Sequence, residues 1–229
     1  MAKISKMIDN LTGKSEEEIR MKEQLDFFQK MASAKSETFE NRLKRMLGNP
    51  EELGELEIVG GRALEYYSGQ HVDISQQCED AIAEESNGYF KGSPEIKTII
   101  QKLVKQGLTG LIGNTSIGET EESLVFVFPE NYSIVRVDMI AYKYTFSSRD
   151  VLASNMENMF VYTMAKSIVD HKKVGIDYLL RAVADMMRND SNKGPSLEEM
   201  TPFIRNLQVC WELLNEGEAS SSASDLLRR

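Results

Sequence analysis

The sequence has few of the residues that most often build catalytic or metal-binding sites. Its 229 residues include two cysteines, two histidines and one tryptophan. Cys78 and Cys210 lie far apart with no CxxC spacing, which excludes a disulfide framework and argues against a zinc site. We therefore expect both thiols to be free and buried, in a protein that occupies a reducing compartment.

Long apolar runs are also missing. No segment approaches the roughly 18 uncharged apolar residues that a membrane-spanning helix needs. Asp9, Lys14 and Glu16 interrupt any signal-peptide core near the first residue. With 41% hydrophobic and 28% charged residues, the composition is typical of a globular protein. These observations predict a cytoplasmic, unprocessed protein with room for one core of good size.

The net charge of −9 is distributed unevenly along the chain. Residues 1–50 carry ten Lys and Arg against eight Asp and Glu, whereas residues 51–100 carry three against eleven. A basic-leaning arm beside an acidic segment can steer one copy of a protein onto another, head to tail. The alternative is that the acidic helices only keep the protein in solution.

Residues 1–48 predict an N-terminal helical arm with a thin apolar stripe. Ile4, Ile8 and Leu11 share one face of a short first helix. Ser15, followed three residues later by Glu18, is a capping-box pattern that opens a second and longer helix. We interpret the apolar residues of the longer helix as candidates for an oligomer interface: Ile19, Leu25, Phe28, Met31, Phe39 and Leu43.

The clearest strand signal is a β-hairpin from Leu124 to Phe146. β-Branched and aromatic residues fill both runs, and Pro129 to Tyr132 supplies the reversal. The pattern predicts an α+β fold, mainly helical, with a central antiparallel hairpin or small sheet over residues 123–146 that helices cover. We assign residues 49–215 to this core domain and residues 216–229 to a flexible, serine-containing C-terminal tail.

Helix signals surround the hairpin on both sides. We predict an acidic helix from Asp73 to about Glu85 and a second helix from Pro94 to a stop at Gly107. After the hairpin we predict one helix from residues 148–150 to about His171, one after Gly175, and a last one opened by Thr201 and Pro202.

Residues 106–118 carry no charge and contain four glycines. One interpretation is a mobile apolar loop that contacts a membrane or a partner through Leu108, Leu111 and Ile112. The other is a glycine-rich connection packed on the core. The segment lacks the Gly-Lys-Ser/Thr of a phosphate-binding loop, so we exclude that function.

Candidate catalytic residues are isolated from one another. His71 precedes Cys78 by a helical spacing that would suit a Cys–His pair, but a helix cap at Asp73 separates them. We expect His71 to face solvent. An acidic cluster, comprising Glu79, Asp80, Glu84 and Glu85, is typical of a solvated helix face rather than of a metal site.

The charged residues of the second hairpin strand also have a structural explanation. Asp138 and Lys143 point to opposite faces of a pleated strand, whereas Arg136 and Asp138 share one face and predict a same-strand ion pair. We therefore expect no catalytic residue, no metal site, no cofactor and no enzymatic activity.

Two hypotheses of function follow. The first is a non-enzymatic self-assembling structural or interaction protein, a class that includes viral proteins, whose N-terminal arm contacts another copy or a protein partner. The second is a membrane-active, pore-forming or lipid-binding protein that uses loop 106–118 and hairpin 123–146. The charges within the hairpin weaken the second hypothesis, and the negative net charge disfavours nucleic acid as a partner.

Overall fold

The structure, a computed structural model, describes residues 15–73, 84, 88–91, 93–146, 158–187 and 195–226. The elements in these ranges are helices α1 (Glu16–Leu47), α2 (Pro50–Leu53), α3 (Pro94–Gly113), α4 (Ile176–Met187) and α5 (Leu197–Leu226), with strands β1 (Glu65–Asp73), β2 (Gly118–Glu130), β3 (Ser133–Thr145) and β4 (Asn158–Ile168). The predicted first helix, nearly all of the acidic helix and the predicted helix start at residues 148–150 lie outside the described residues.

The four strands form one antiparallel sheet in the order β1-β4-β3-β2. Helices α3, α4 and α5 pack on one face, over β2 and β3, and α1 packs on the other face, chiefly over β4. The sheet is thus the middle layer of three. This architecture confirms the predicted α+β fold, with the second hairpin strand, β3, inside the sheet and the first, β2, at its edge.

Alternate side chains of β3 belong to two hydrophobic cores, one on each face of the sheet. Val137 and Met139 belong to the cluster beneath α3, α4 and α5, whereas Ile140 and Tyr142 belong to the cluster beneath α1. Because both faces of β3 and β4 are covered, almost every residue along these strands is buried. The two-sided burial makes the strand pair the structural centre of the molecule.

Strand β4 corrects the prediction of a helix ending near His171. Met156, Met159, Phe160, Met164 and Ile168 repeat at helical spacing, yet Met159 and Met164 lie on opposite faces of a strand that pairs with both β1 and β3. A strand buried on both faces reads as a continuous apolar run, so its periodicity does not separate it from a buried helix. Strand β1 is likewise an element that the sequence did not predict.

Helix α3 begins as predicted and ends later than predicted. The Ser93 hydroxyl accepts from the Ile96 N–H at its N-terminus, but the helix continues past Gly107 to Gly113. A Cβ at Gly107 would lie 2.9 Å from Leu124 Cδ1. The glycine therefore allows close approach of the helix to β2 rather than ending the helix.

Helix α5 also differs from its prediction at both ends. It begins at Leu197, where the Ser196 hydroxyl accepts from the Glu199 N–H, so Pro202 lies inside the helix. The chain then remains helical through Leu226, where the sequence predicted a flexible tail from residue 216.

Three buried cations connect the sheet to surrounding segments. Arg136 forms the predicted ion pair with Asp138, and its Nη1 also donates to the carbonyls of Leu53 and Leu56 at 2.9 and 2.8 Å. Lys143 Nζ donates to the Ile112 and Asn114 carbonyls at the C-terminal end of α3. The third, Lys166, donates to Tyr89 and Glu130.

Replacing Arg136 with leucine is expected to destabilise the fold by about 3–5 kcal/mol, because it leaves a buried carboxylate without its counter-charge. Burial raises the pKa of Asp138, and Arg136 opposes that rise. In Arg136→Leu the carboxyl therefore stays protonated in the folded state at pH values where the unfolded chain has ionised. The folded state then binds more protons, so the variant should lose stability as pH rises from about 4 to 7.

Urea unfolding across that pH range measures the effect. Arg136→Leu/Asp138→Asn should lack the additional pH dependence, and Lys173→Leu, which breaks an exposed pair with Glu57, should change stability little. Equal pH profiles for Arg136→Leu and the unmodified protein would contradict the prediction.

A second prediction concerns Gly69 on β1. A Cβ there would lie 2.4 Å from ring atoms of Tyr162, so Gly69→Ala should cost about 1–3 kcal/mol as the ring is displaced. Gly110→Ala is the matched control, since its Cβ would meet nothing closer than 3.5 Å inside α3. That control should stabilise the protein by about 0.5–1 kcal/mol. Thermal unfolding that ranks the two variants the other way would disprove this packing.

Candidate functional site

A groove opens where the hairpin turn, the start of α3 and the outer side of α5 meet. Its cavity measures about 720 Å³. The lining residues are Ser93, Ile96, Pro129, Glu130, Asn131, Tyr132, Asn206, Val209, Cys210, Leu213 and Leu214. We refer to these residues together as the end groove, because they lie at the hairpin-turn end of the sheet.

The hairpin turn forms one wall of the end groove. Glu130 pairs with Ser133, so Asn131 and Tyr132 alone reverse the chain, with φ values of 48° and 64°. Positive φ at both central residues is the geometry of a tight hairpin turn, and it is unfavourable for a bulky residue such as tyrosine. Tyr132 is nevertheless 86% exposed. The turn thus holds an aromatic ring in solvent at some conformational cost.

Helix α5 forms the opposite wall. Its inner side packs Phe203 and Leu207 into the core, and Trp211 Nε1 donates to the Val174 carbonyl at 3.1 Å, which fixes the rotation of the helix. This rotation leaves Val209 47% and Leu213 55% exposed above the cavity. Two apolar side chains one helical turn apart therefore form an accessible ridge.

A buried carboxylate lies at the floor of the end groove and is hydrogen-bonded to other groups of the same chain. Glu130 is buried and accepts from Lys166 Nζ at 3.2 Å and from the Lys91 N–H at 3.4 Å. Lys166 also donates to the carbonyl of Tyr89, whose phenol pKa is raised chiefly by burial. The network ties the segment before α3 to the hairpin and holds the floor of the end groove in place.

Few titratable side chains line the end groove. Its one thiol, Cys210, is buried and free as the sequence predicted, and burial raises its pKa, which disfavours the reactive thiolate. Neither histidine is among the residues that line it. Within the described ranges, no group of three or more His, Cys, Asp or Glu side chains is placed to hold a metal ion.

The predicted oligomer-interface residues contribute mainly to the protein's own core. Leu25, Phe39 and Leu43 are buried beneath the sheet-facing side of α1, and Phe28 and Met31 are partly buried against the same cluster. Ile19 alone among the six candidates is exposed, at 46%. In the single chain, therefore, most of this stripe is already covered by β3 and β4.

The predicted loop at residues 106–118 is wrong for most of its length. Residues 106–113 are the second half of α3, and Leu108 and Leu111 are fully buried in the core, with Ile112 packed beside them. Uncharged residues and glycines are compatible with a helix that is buried against a sheet. Among the described residues, no helix has both the length and the apolar character needed to cross a membrane.

His71 is also placed differently from its prediction. It is buried on strand β1 and its ring stacks on Tyr162, with centroids 6.1 Å apart. A strand at this position removes the helical spacing that would have paired His71 with Cys78, which itself lies outside the described residues. Of the acidic cluster, only Glu84 is described.

Sequence reasoning missed the end groove as a site. Its walls come from three segments far apart in the chain, so no local motif marks them. The available signals were a turn with tyrosine at a position that favours glycine, and Val209 and Leu213 beside the apolar positions of α5. Comparison with protein-family models, curated proteins and solved structures finds no match to this chain.

Proposed function

We propose that the protein is a non-enzymatic, self-assembling structural protein, and that the end groove is the surface by which one copy binds another. The observation that carries this proposal is an apolar rim, formed by Tyr132, Val209 and Leu213, around a preformed cavity. Clustered exposed apolar side chains are costly in water and are typical of interaction sites. A cytoplasmic location is part of the same proposal.

A second copy of the chain is the occupant that the charge distribution favours. The first 50 residues have a net charge of +2 and the next 50 a net charge of −8, so different parts of two copies attract each other. The strained turn supports the same conclusion, since the cost of an exposed tyrosine at positive φ is repaid when the ring is buried at an interface.

The test substitutes glutamate for Leu213 and measures the mass in solution by sedimentation across a concentration series. The unmodified protein should associate, and Leu213→Glu should weaken the association about tenfold or more, because a charge would enter the apolar contact. Leu213 is half exposed, so the variant should fold normally, as circular dichroism will check.

Leu197→Glu is the matched control. Leu197 is also on α5 and is 72% exposed, but it is the first residue of the helix, more than four turns before Leu213. It should leave association unchanged. A monomeric unmodified protein, or equal association of Leu213→Glu and Leu197→Glu, would disprove the proposed function.

A further inference from the structure

The end groove and the N-terminus of α1 lie at opposite ends of the molecule. Phe28 packs on Phe146, beyond the end of β3 farthest from the hairpin turn, with ring centroids 4.8 Å apart. Phe39 packs on Tyr142, and Lys44 lies over the ring of Tyr66. Tyr66 and Asp138 both pair with the same residue of β4, so Lys44 lies at the height of Asp138 along the sheet. Helix α1 therefore runs nearly along the strands and approaches the hairpin turn only at its C-terminal end.

These positions set the distance from Ser15 to the end groove. Thirteen residues of β2, at about 3.4 Å each, span about 44 Å from the Gly118 end to the turn. From Phe28 back to Glu16, α1 extends about 18 Å farther away. Laid end to end, these lengths give an upper limit of about 60 Å between Ser15 and the end groove of its own chain.

The chain before Ser15 is too short to cover that distance. Ile8 is seven residues from Ser15 and can lie at most about 25 Å away, and Ile4, at eleven residues, at most about 40 Å away. We therefore expect a contact between Ile8 and an end groove to join two different copies.

The segment has the chemistry that the end groove accepts. Ile4, Ile8 and Leu11 follow the i, i+4, i+7 spacing by which an amphipathic helix fills an apolar groove. Residues 1–14 carry three lysines against one aspartate. Glu212 and Glu216 are exposed on α5 within one helical turn of Leu213, and Arg205 is exposed one turn before Val209. The lysines of residues 1–14 are complementary in charge to these two carboxylates, and the apolar spacing of the segment matches the apolar ridge.

Building on the proposed function, we infer that residues 1–14 of one copy bind in the end groove of the next, with Ile4, Ile8 and Leu11 contacting Val209 and Leu213. Each chain has one such segment and one such groove at its two ends. The contact is therefore heterologous and adds subunits head to tail, as a closed ring or an open filament. In this proposal, the oligomer contact that the sequence predicted for the whole N-terminal arm is made by residues 1–14. Helix α1 packs on the sheet of its own chain instead.

Site-directed cross-linking tests this contact in the full-length chain. Cysteine is placed in the segment and on the α5 ridge, as Ile8→Cys/Val209→Cys, in a Cys78→Ser/Cys210→Ser background. Mild oxidation should give a ladder of disulfide-linked dimers, trimers and larger species. Ile8→Cys/Leu197→Cys, with the second cysteine at the far end of α5, should remain largely monomeric. A disulfide within one chain, or equal ladders from both pairs, would overturn the inference.

Sedimentation of a second pair of variants separates this inference from the proposed function. Ile8→Glu should weaken association about as much as Leu213→Glu, whereas Asn10→Glu, which adds the same charge on another side of the predicted helix, should weaken it much less. If Leu213→Glu disrupts association and Ile8→Glu does not, another part of the second copy occupies the end groove and the inference is wrong. If neither variant disrupts association, the proposed function fails as well.

Discussion

Arg136 lies on a strand whose two faces are both covered by helices, and its buried charge requires partners that the sheet alone does not supply. Asp138 provides the counter-charge, and the carbonyls of Leu53 and Leu56 accept from Nη1. Lys143 and Lys166 meet the same requirement through carbonyls at the end of α3 and before its start. Because a buried cation without partners is costly, the sheet determines where these peripheral segments lie. The three-layer arrangement depends on this constraint.

The end groove is a consequence of the same arrangement. Lys166 holds Glu130 and the Tyr89 carbonyl together, so the hairpin turn extends past the core next to the first turn of α3. Helix α5 is fixed in rotation by Trp211, and its ridge faces that turn. The cavity lies between the hairpin turn, the start of α3 and α5.

Local patterns predicted the elements whose residues act on near neighbours. The Ser15 and Ser93 caps, the hairpin and the Arg136–Asp138 pair all depend on contacts within a few residues, and the structure has each of them. The errors arose at residues whose secondary structure is determined by contacts with residues far away in the sequence. Met159 and Met164 belong to a strand because β1 and β3 lie on either side of it, and Gly107 stays helical because Leu124 packs against it. Neither the strand pairing nor the packing of Leu124 can be inferred from local periodicity and propensity.

By itself, the sequence determined the α+β class, the central hairpin, the free buried thiol of Cys210 and the separation of charge along the chain. Those features follow from composition and from interactions between residues close in sequence. Only the tertiary structure decided that α1 packs on its own sheet, that Leu108 and Leu111 are core, and that a groove forms beside Tyr132. Each of these depends on which surfaces meet across long sequence separations. Burial there is a property of the whole packed chain rather than of any local segment.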